Sequence, residues 1–506
     1  MSLHRSADRW LALALFAGVV AFVVSLPNNL GESDESLILY EATRILRGEV
    51  LYRDVFEIIT PGSLWVFAAL FHVFGTTLTV ARAAMAVVHA LIVLLVYATC
   101  RGLGVRRGLA AAAGLTHLAI GQPVWPYGSP HWMGTLLQVV LVWLAAARPL
   151  RGRLATAVAL GLAVGTLIMV QQHKGAVMAL GVGLLLAADA VADRRLGGAG
   201  DWRALLTSEL ACAATALVVV VVPMGVVVAR AGVDAVVLAL VHYPLHNYPA
   251  VVGAPWGEVN FLNAPLAPYT LPGLLRWLPG VLLLTAARVV WAWRRRDSGL
   301  RGSVAVLVLG GASIVSIIYS PDFIHLAFIA PVMLIAAALA LDDCFVALAQ
   351  RRWEPAASFA ISVLLLSALA TQLTRNWQRV WTEYPTPYLT PFGRVDLRDA
   401  EMVRQFDVVR RLAAASPTRE ALAYPGLPMV YLVTGTDNPT PFQLLGPAYN
   451  GLPTVQAAID TLERRRVPLV LIVEPFVQPD DPMVRYVREH YDRVGDSSVY
   501  RRREAP

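Results

Sequence analysis

Carboxylates and cations lie next to one another at several separated points of an otherwise apolar sequence. The first group is Asp34, Glu35, Arg53 and Glu57. The second is His173 and Lys174, with the polar Gln172 before them, and the third is Asp322 and His325. A carboxylate can accept the proton of an attacking hydroxyl. A cation can stabilise the negative charge that develops on a departing phosphate. Together these groups suit the transfer of a group from an anionic lipid to a neutral nucleophile.

Each of these residues also has a structural interpretation. Asp34 and Glu35 can cap the N-terminus of a helix, where acidic side chains are favoured. Lys174 can be a cation that reaches the interface from a helix end, although the polar residues 171–173 before it interrupt an apolar stretch. His325 can hydrogen bond to a neighbouring helix. The sequence leaves both interpretations open.

Further polar residues are candidates for the same cavity. Asp322 lies one turn before His325, and His131 begins an apolar stretch. Tyr248 lies in a polar loop, where aromatic side chains also form belts at membrane interfaces. Glu57 is interpreted first as a partner of Arg53 or Arg44 in an ion pair at headgroup level.

Metal and cofactor motifs do not occur in the sequence. The histidines lack the spacing of a zinc site, and no calcium-binding loop is present. We therefore expect no cofactor, and the sequence does not decide whether a divalent metal is needed.

The composition indicates that these residues are positioned by membrane-spanning helices. Hydrophobic residues make up 57% of the 506 positions and charged residues 15%, whereas soluble proteins carry about 25% charged residues. Apolar runs of nearly 20 residues recur, and a run of this length spans a bilayer. The formal charge of +7 comes from arginines in short loops, so it indicates membrane topology and a lipid-bilayer partner, not nucleic acid.

About eleven spans are predicted, and basic loops set their orientation. The apolar stretch 61–74 is too short to cross and is predicted to be an interfacial helix. The basic loops then fall on the cytoplasmic side together with the N-terminus. The spans are predicted near 10–25, 78–103, 108–121, 132–147, 154–171, 175–191, 205–229, 271–293, 303–319, 323–341 and 356–373.

Two domains follow from this pattern. Residues 1–375 form a transmembrane domain with outer loops at 27–77 and 231–270. Residues 376–506 alternate short strands and helices, which is typical of a small α/β domain, and this domain is expected on the outer side. The predicted strands are 420–424, 428–433 and 468–473, and the predicted helices are 397–415, 454–466 and 482–490.

Six segments resemble the GT-C superfamily of membrane glycosyltransferases, in its bacterial mannosyltransferase-like and aminoarabinose-transferase-like branches. They are Ser33-Asp34-Glu35, Tyr40–Gly48, Tyr52–Trp65, Gln172–Gly175, Pro321–Leu326 and Tyr431–Thr440. The resemblance implies a polyprenyl-phosphate sugar donor, a glycan, lipid or protein acceptor, and Asp34 as base or acceptor-positioning residue. Some members carry a lysine before the proline pair of the first loop, whereas this chain has Ile58-Ile59-Thr60-Pro61. Lys174 or Arg53 would then contact the phosphate, and His173, Gln172 and His325 are the further candidates for binding the donor phosphate.

The predicted function is therefore an inverting hexosyl or pentosyl transfer at the outer face of the membrane, with a carboxylate base. A transporter or flippase of lipid-linked substrates is the alternative from another class, since many helices around a polar cavity fit it too. An inactive GT-C-like scaffold is the third. The alanine-, valine- and arginine-rich composition is typical of a GC-rich bacterium, which favours an inner membrane and a periplasmic C-terminal domain.

Overall fold

A computed structural model describes residues 2–503 apart from 33, 121–125, 147–153, 199–200, 249–252, 259–272, 349–353, 474–476 and 479. The N-terminal three quarters of the described chain is helical. Its helices are α1 Ser2–Val24, α2 Asp34–Leu46, α3 Gly62–Phe74, α4 Leu78–Gly102, α5 Arg107–Ile120, α6 Pro130–Ala146, α7 Leu154–Val170, α8 Gln172–Arg195, α9 Trp202–Ala231, α10 Val233–His246, α11 Val281–Arg295, α12 Leu300–Val315, α13 Phe323–Leu348 and α14 Glu354–Glu383.

A helix lies at each of the eleven predicted spans. By length and composition, six of the described helices are able to cross a membrane: α1, α4, α8, α9, α13 and α14. The five others, α5, α6, α7, α11 and α12, have 14 to 17 residues, which corresponds to about 21–26 Å at 1.5 Å per residue. α11 starts ten residues later than predicted, because 3₁₀ turns at Gly273–Arg276 and Leu278–Gly280 precede it.

Small residues bring α7 and α9 close together. A Cβ atom at Gly161 of α7 would meet the carbonyl oxygen of Cys212 on α9 at 2.4 Å, and one at Gly165 would meet Val219 at 2.7 Å. This is the close backbone approach that a Gly-x-x-x-Gly spacing favours. Among the six helices that are long enough to cross a membrane, α13 is the most buried, with 78% of its most apolar stretch inside the protein. The corresponding stretches of α9 and α14 are only 17% and 11% buried, so these helices present most of their surface outward.

The first outer loop contains α2 and α3. Between them the chain makes a tight turn, which a bridge between Leu51 and Val55 closes. α3 packs closely against α7 because Gly62 has no side chain. A Cβ atom there would lie 2.5 Å from the carbonyl oxygen of Met169.

The C-terminal part begins with a β-hairpin and continues as an α/β unit. Its elements are β1 Thr386–Thr390, β2 Gly393–Leu397, α15 Ala400–Ala414, β3 Ala421–Tyr424, α16 Met429–Thr434, α17 Pro447–Asn450, α18 Leu452–Arg465, β4 Leu469–Ile472, α19 Pro482–His490, β5 Tyr491–Arg493 and β6 Val499–Arg502. The sheet order is β3-β4-β6-β5, with β3 parallel to β4 and the other pairs antiparallel.

Two details of this part differ from the sequence prediction. The predicted strand 428–433 is the helix α16, and all six of its residues are buried. An apolar run that is buried all round has no periodicity to separate helix from strand. The domain boundary predicted at 376 falls inside α14, which continues to Glu383.

The C-terminal part packs directly on the first outer loop. The backbone N–H of Asn438 donates to the hydroxyl of Tyr40 at 2.8 Å, and that of Phe56 donates to the carbonyl of Pro441 at 2.9 Å. The Tyr40 ring stacks on Tyr431 with centroids 4.6 Å apart. These contacts hold the loop that carries the candidate acids against the end of the helical bundle.

Candidate functional site

Asp34 begins α2 and presents an exposed side chain. Its charge acts on two other candidate residues, Glu57 and Tyr248. Burial, followed by the charges of Asp34 and Glu57, raises the pKa of the Tyr248 hydroxyl above its usual value. The described structure therefore brings Asp34, Glu57 and Tyr248 into one electrostatic neighbourhood, although the sequence separates them widely.

Glu35 lies in very different surroundings from its neighbour. Its carboxylate is buried, forms an ion pair with Arg82 of α4, and accepts backbone N–H bonds from Gly31 at 2.9 Å and Gly128 at 2.7 Å. Arg82 also donates to the carbonyl of Asn29. With both oxygens engaged, Glu35 joins three segments of the chain, and a chemical role for it stays a prediction that these contacts do not support.

Lys174 lies in the first turn of α8 and is fully buried. Its ammonium is 3.1 Å from Nδ1 of His131 and 5.1 Å from the centroid of the Phe328 ring. Among the described residues, no carboxylate forms an ion pair with it. Lys174 is also the only lysine of the sequence, since the other 41 of its 42 basic residues are arginines.

A chain of aromatic and polar side chains continues from Lys174. His131 packs edge-on against His325, with ring centroids 5.2 Å apart. Nδ1 of His325 is 2.8 Å from a carboxylate oxygen of Asp322, and its Nε2 is 3.0 Å from the hydroxyl of Tyr319. The Tyr319 ring in turn contacts His173 at 4.9 Å. Four of the predicted site residues thus gather around Lys174 or its neighbours: His131, His173, His325 and Asp322.

Gln172 binds the first outer loop. Its side-chain amide donates to the carbonyl of Ile58 at 2.7 Å, and its amide oxygen accepts the N–H of Thr60 at 3.2 Å. The hydroxyl of Thr60 donates to the carbonyl of Ile168 at 2.6 Å. These contacts fix the loop to the junction of α7 and α8, next to Lys174, so the predicted phosphate contact of Gln172 gains no support from its geometry.

Arg53 lies apart from the group around Lys174. Its side chain is 55% exposed and pairs with the adjacent Asp54 at 2.8 Å. Arg44 pairs with Glu49. Glu57 therefore has neither of the arginine partners that the sequence suggested; its carboxylate accepts the backbone N–H groups of Ile58 and Ile59.

Two residues that the sequence analysis did not select contribute to this region, Arg82 and Glu41. Arg82 is a cation within an apolar helix. An ionisable side chain in such a position needs a partner inside the protein, so Arg82 was a signal that the sequence offered. Glu41 is a fully buried acid on α2, and burial, followed by the charge of Glu57, raises the pKa of its carboxyl well above the usual value. Within the described ranges, no group of three or more histidine, cysteine, aspartate or glutamate residues is arranged to hold a metal ion.

Solved membrane-protein structures share this arrangement of helices and C-terminal domain. ArnT from Cupriavidus metallidurans bound to undecaprenyl phosphate aligns with 96% of this chain and 97% of its own, with a TM-score of 0.60 and 15% sequence identity. The apo state of the same protein gives a TM-score of 0.57. The oligosaccharyltransferase from Archaeoglobus fulgidus, tethered with an acceptor peptide, aligns with 91% of this chain and 69% of its own, with a TM-score of 0.54 and 13% identity.

No protein-family model matches the sequence, and no curated protein matches it either. The structural similarity covers nearly the whole chain. It shows that this chain has the fold of these solved structures, and it confirms the predicted polytopic helical membrane architecture.

Proposed function

We propose that this chain, which has the fold of GT-C glycosyltransferases, transfers a sugar from a polyprenyl-phosphate donor to an acceptor at the outer face of the membrane. The observation that carries the proposal is Lys174, a buried ammonium without a carboxylate partner among the described residues. A structure of the same fold, ArnT, is bound to undecaprenyl phosphate. A buried cation without a carboxylate partner supports binding of an anionic lipid phosphate at this place.

The electrostatic argument rests on desolvation. Removing an ammonium from water costs several kcal/mol, on the order of the penalty for one ion of a buried salt bridge. A histidine nitrogen and an aromatic face offset this only in part. A phosphate that reaches Lys174 would complete the ion pair, and the hydrogen-bonded rings of His131 and His325 would line its surroundings. This supports an anion site at the start of α8.

Asp34 is the base that we assign to the reaction. The acceptor hydroxyl oxygen attacks the anomeric carbon of the donor, the bond from that carbon to the phosphate oxygen breaks, and the electron pair leaves with the lipid phosphate. The hydroxyl proton passes to the Asp34 carboxylate. A single displacement of this kind inverts the anomeric configuration. Asp34 is exposed, whereas the Glu35 carboxylate is buried in an ion pair with Arg82.

The side of the membrane follows from charge. The arginine-rich loops between the spans favour the cytoplasm, which supports an outer position for α2, the start of α8 and the C-terminal domain. In a bacterium this is the periplasmic face of the inner membrane.

Transfer from a panel of radiolabelled polyprenyl-phosphate sugars, with membrane extract as acceptor, tests the proposal. We expect label to move to product with the wild type, and a loss of at least ~100-fold with Asp34→Asn, in the range that a positioned general base contributes. Glu32→Gln is the matched control, because Glu32 is an exposed acid of the same loop that faces Arg398. Full activity of a folded Asp34→Asn protein would remove the base from the mechanism.

A further inference from the structure

The helix α3 is apolar on its outward face as well as on its inward face. Leu64, Phe67 and Phe71 are buried inside the protein. On the other side, Val66 and Val73 are 44% and 68% exposed. A helix whose outer face meets water normally carries polar residues there. The outward face of α3 is therefore suited to an apolar medium.

The connection of α3 to α4 fixes its level relative to the membrane. Phe74, which ends α3, is 68% exposed, and only residues 75–77 separate it from Leu78, the first residue of α4. α4 is one of the six described helices that are long and apolar enough to cross a membrane. The apolar end of α3 consequently lies where a span meets the lipid headgroups.

The tip of the hairpin formed by β1 and β2 lies at the same level. The carbonyl of Phe392 accepts the backbone N–H of Leu78 at 2.9 Å. The Phe392 ring also packs edge-on against Phe71 of α3, with ring centroids 5.7 Å apart. A segment of the C-terminal domain is thus held against the end of α3 and the start of a span.

Leu389 is an apolar side chain that this hairpin presents outward. It is 76% exposed, whereas its neighbours Tyr388 and Thr390 are buried, because successive residues of a strand point to opposite faces. Arg410 of α15 donates to the carbonyl of Leu389 at 3.3 Å and to the hydroxyl of Tyr388 at 3.1 Å. These bonds fix the strand from which Leu389 projects.

The chain enters the hairpin directly from a membrane-spanning helix. α14 ends at Glu383, and β1 begins at Thr386. Near the end of α14, the indole N–H groups of Trp377 and Trp381 donate to the hydroxyl and the carbonyl of Ser25, each at 3.1 Å. Ser25 directly follows the span α1, and tryptophan is enriched where spans meet the headgroups. The hairpin therefore starts at headgroup level too.

We propose that an apolar surface of α3 and the hairpin lies in the headgroup region of the bilayer and anchors the C-terminal domain there. This surface, the α3–hairpin face, consists of Val66, Val73, Phe74 and Leu389. Its partner is the lipid bilayer, because it adjoins the ends of α4 and α14 and exposes large apolar side chains at that level. Exposed apolar groups of this kind are typical of a membrane-interaction surface.

The anchor has a consequence for the candidate site. The C-terminal domain also packs on the first outer loop, through the bond between Asn438 and Tyr40. A hairpin fixed in the headgroup region would therefore hold that loop at the level of the lipid phosphates. The α3–hairpin face would have this role whether or not the chain transfers sugar.

Spin labels on single introduced cysteines measure the depth of the α3–hairpin face. A Cys344→Ala chain is the background, since Cys344 is exposed and the other two cysteines are buried. In nanodiscs of phosphatidylcholine and phosphatidylglycerol, labels at Leu389→Cys and Val73→Cys should be more accessible to oxygen than to a water-soluble nickel chelate. Leu452→Cys is the matched control, a 58% exposed leucine of α18 in the same domain, and its label should show the reverse preference.

Two results would overturn the proposal. A label at position 389 that prefers the nickel chelate, as the label at 452 does, would place the hairpin in water. Labels protected from both reagents, with spin–spin broadening when each disc holds two proteins instead of one, would assign the face to a second copy of this chain.

Hydrogen exchange of the full chain in the same nanodiscs tests the anchoring itself. Leu389→Asp places a charge on the α3–hairpin face and should accelerate backbone exchange in residues 386–397 at least roughly tenfold, in keeping with the lost burial of one leucine side chain. Exchange in α18 should stay within about twofold. Leu452→Asp, the control, should leave the hairpin unchanged. Wild-type exchange of the hairpin in a folded Leu389→Asp protein would overturn the anchor.

Discussion

Asp34 and Glu35 are adjacent acids on one helix, and their carboxylates have opposite environments. Successive residues of an α-helix point about 100° apart, so a helix lying against the bundle turns one of them outward and the other inward. The inward one meets Arg82 and two backbone N–H groups, and the side chain of the outward one is exposed. A role as base is therefore argued for Asp34 alone.

Removing the buried carboxylate should damage the fold more than the chemistry. Glu35→Leu leaves Arg82 buried and unpaired and should lower the free energy of unfolding by about 3–5 kcal/mol. The measurement is chemical or thermal unfolding in detergent. Glu32→Leu, which removes an acid that is 46% exposed, should change it by less than about 0.5 kcal/mol. Equal stability of Glu35→Leu and the wild type would show that the Arg82 ion pair contributes nothing.

Lys174 and Arg53 are rival phosphate contacts, and binding of undecaprenyl phosphate separates them. Loss of a hydrogen bond to a charged group costs about 1.5–3 kcal/mol, so Lys174→Met should weaken the Kd roughly 10- to 150-fold. Arg53→Met should leave it within about twofold, because an exposed pair with Asp54 contributes little. Native mass spectrometry or a fluorescent-lipid titration measures both. The reverse ranking would move the phosphate site to the first outer loop.

At the residue scale, polar and charged residues in apolar surroundings could be identified as candidates from the sequence. Their environments depend on the partners that the fold brings to them, and the sequence does not show those partners. His325 and Asp322 pair as their one-turn spacing suggested, at 2.8 Å. The ion pair between Glu35 and Arg82 joins residues 47 positions apart, a separation that no periodicity encodes. A single sequence therefore indicates that a buried charge must have a partner, but it does not identify that partner.

At the element scale, the junction of α7 and α8 positions Lys174, and it has no spare room. A Cβ atom at Gly175 would lie 2.4 Å from the backbone of Ile168, so the two helices meet as closely as glycine permits. The eleven helices were predictable because a bilayer core accepts only apolar segments with internally satisfied backbones. Short buried elements such as α16 were not predictable, because a segment that is buried on every side has no alternation of polar and apolar residues.

Gly175→Ala should therefore destabilise the protein by about 1–3 kcal/mol, as overpacking does, and should displace Lys174. Gly311→Ala on α12 is the matched control, because a Cβ atom there meets no atom within 4 Å; that change should be neutral or slightly stabilising through helix propensity. Thermal unfolding of both variants checks the difference. Comparable melting temperatures for the two would mean that the junction can relax.

At the scale of the whole molecule, the C-terminal domain and the first outer loop depend on one another. Arg44 of α2 is buried and donates to the carbonyl of Thr440 at 2.9 Å. Arg44→Leu should increase hydrogen exchange in the backbone of residues 50–60 and lower the free energy of unfolding by about 2–4 kcal/mol. Arg404→Leu, which removes an exposed side chain of α15, should do neither. Unchanged exchange in the loop after Arg44→Leu would show that the domain does not order it.

This interface has a consequence for biosynthesis. Tyr40 and Asn438 are 398 residues apart in the chain, and Asn28 and Asp396 are 368 apart. A ribosome releases the N-terminal acids long before it makes the segment that packs on them, and domains form in the order of their synthesis. The first outer loop therefore lacks these contacts until the last quarter of the polypeptide has been translated. An incomplete nascent chain would have no fully assembled candidate site.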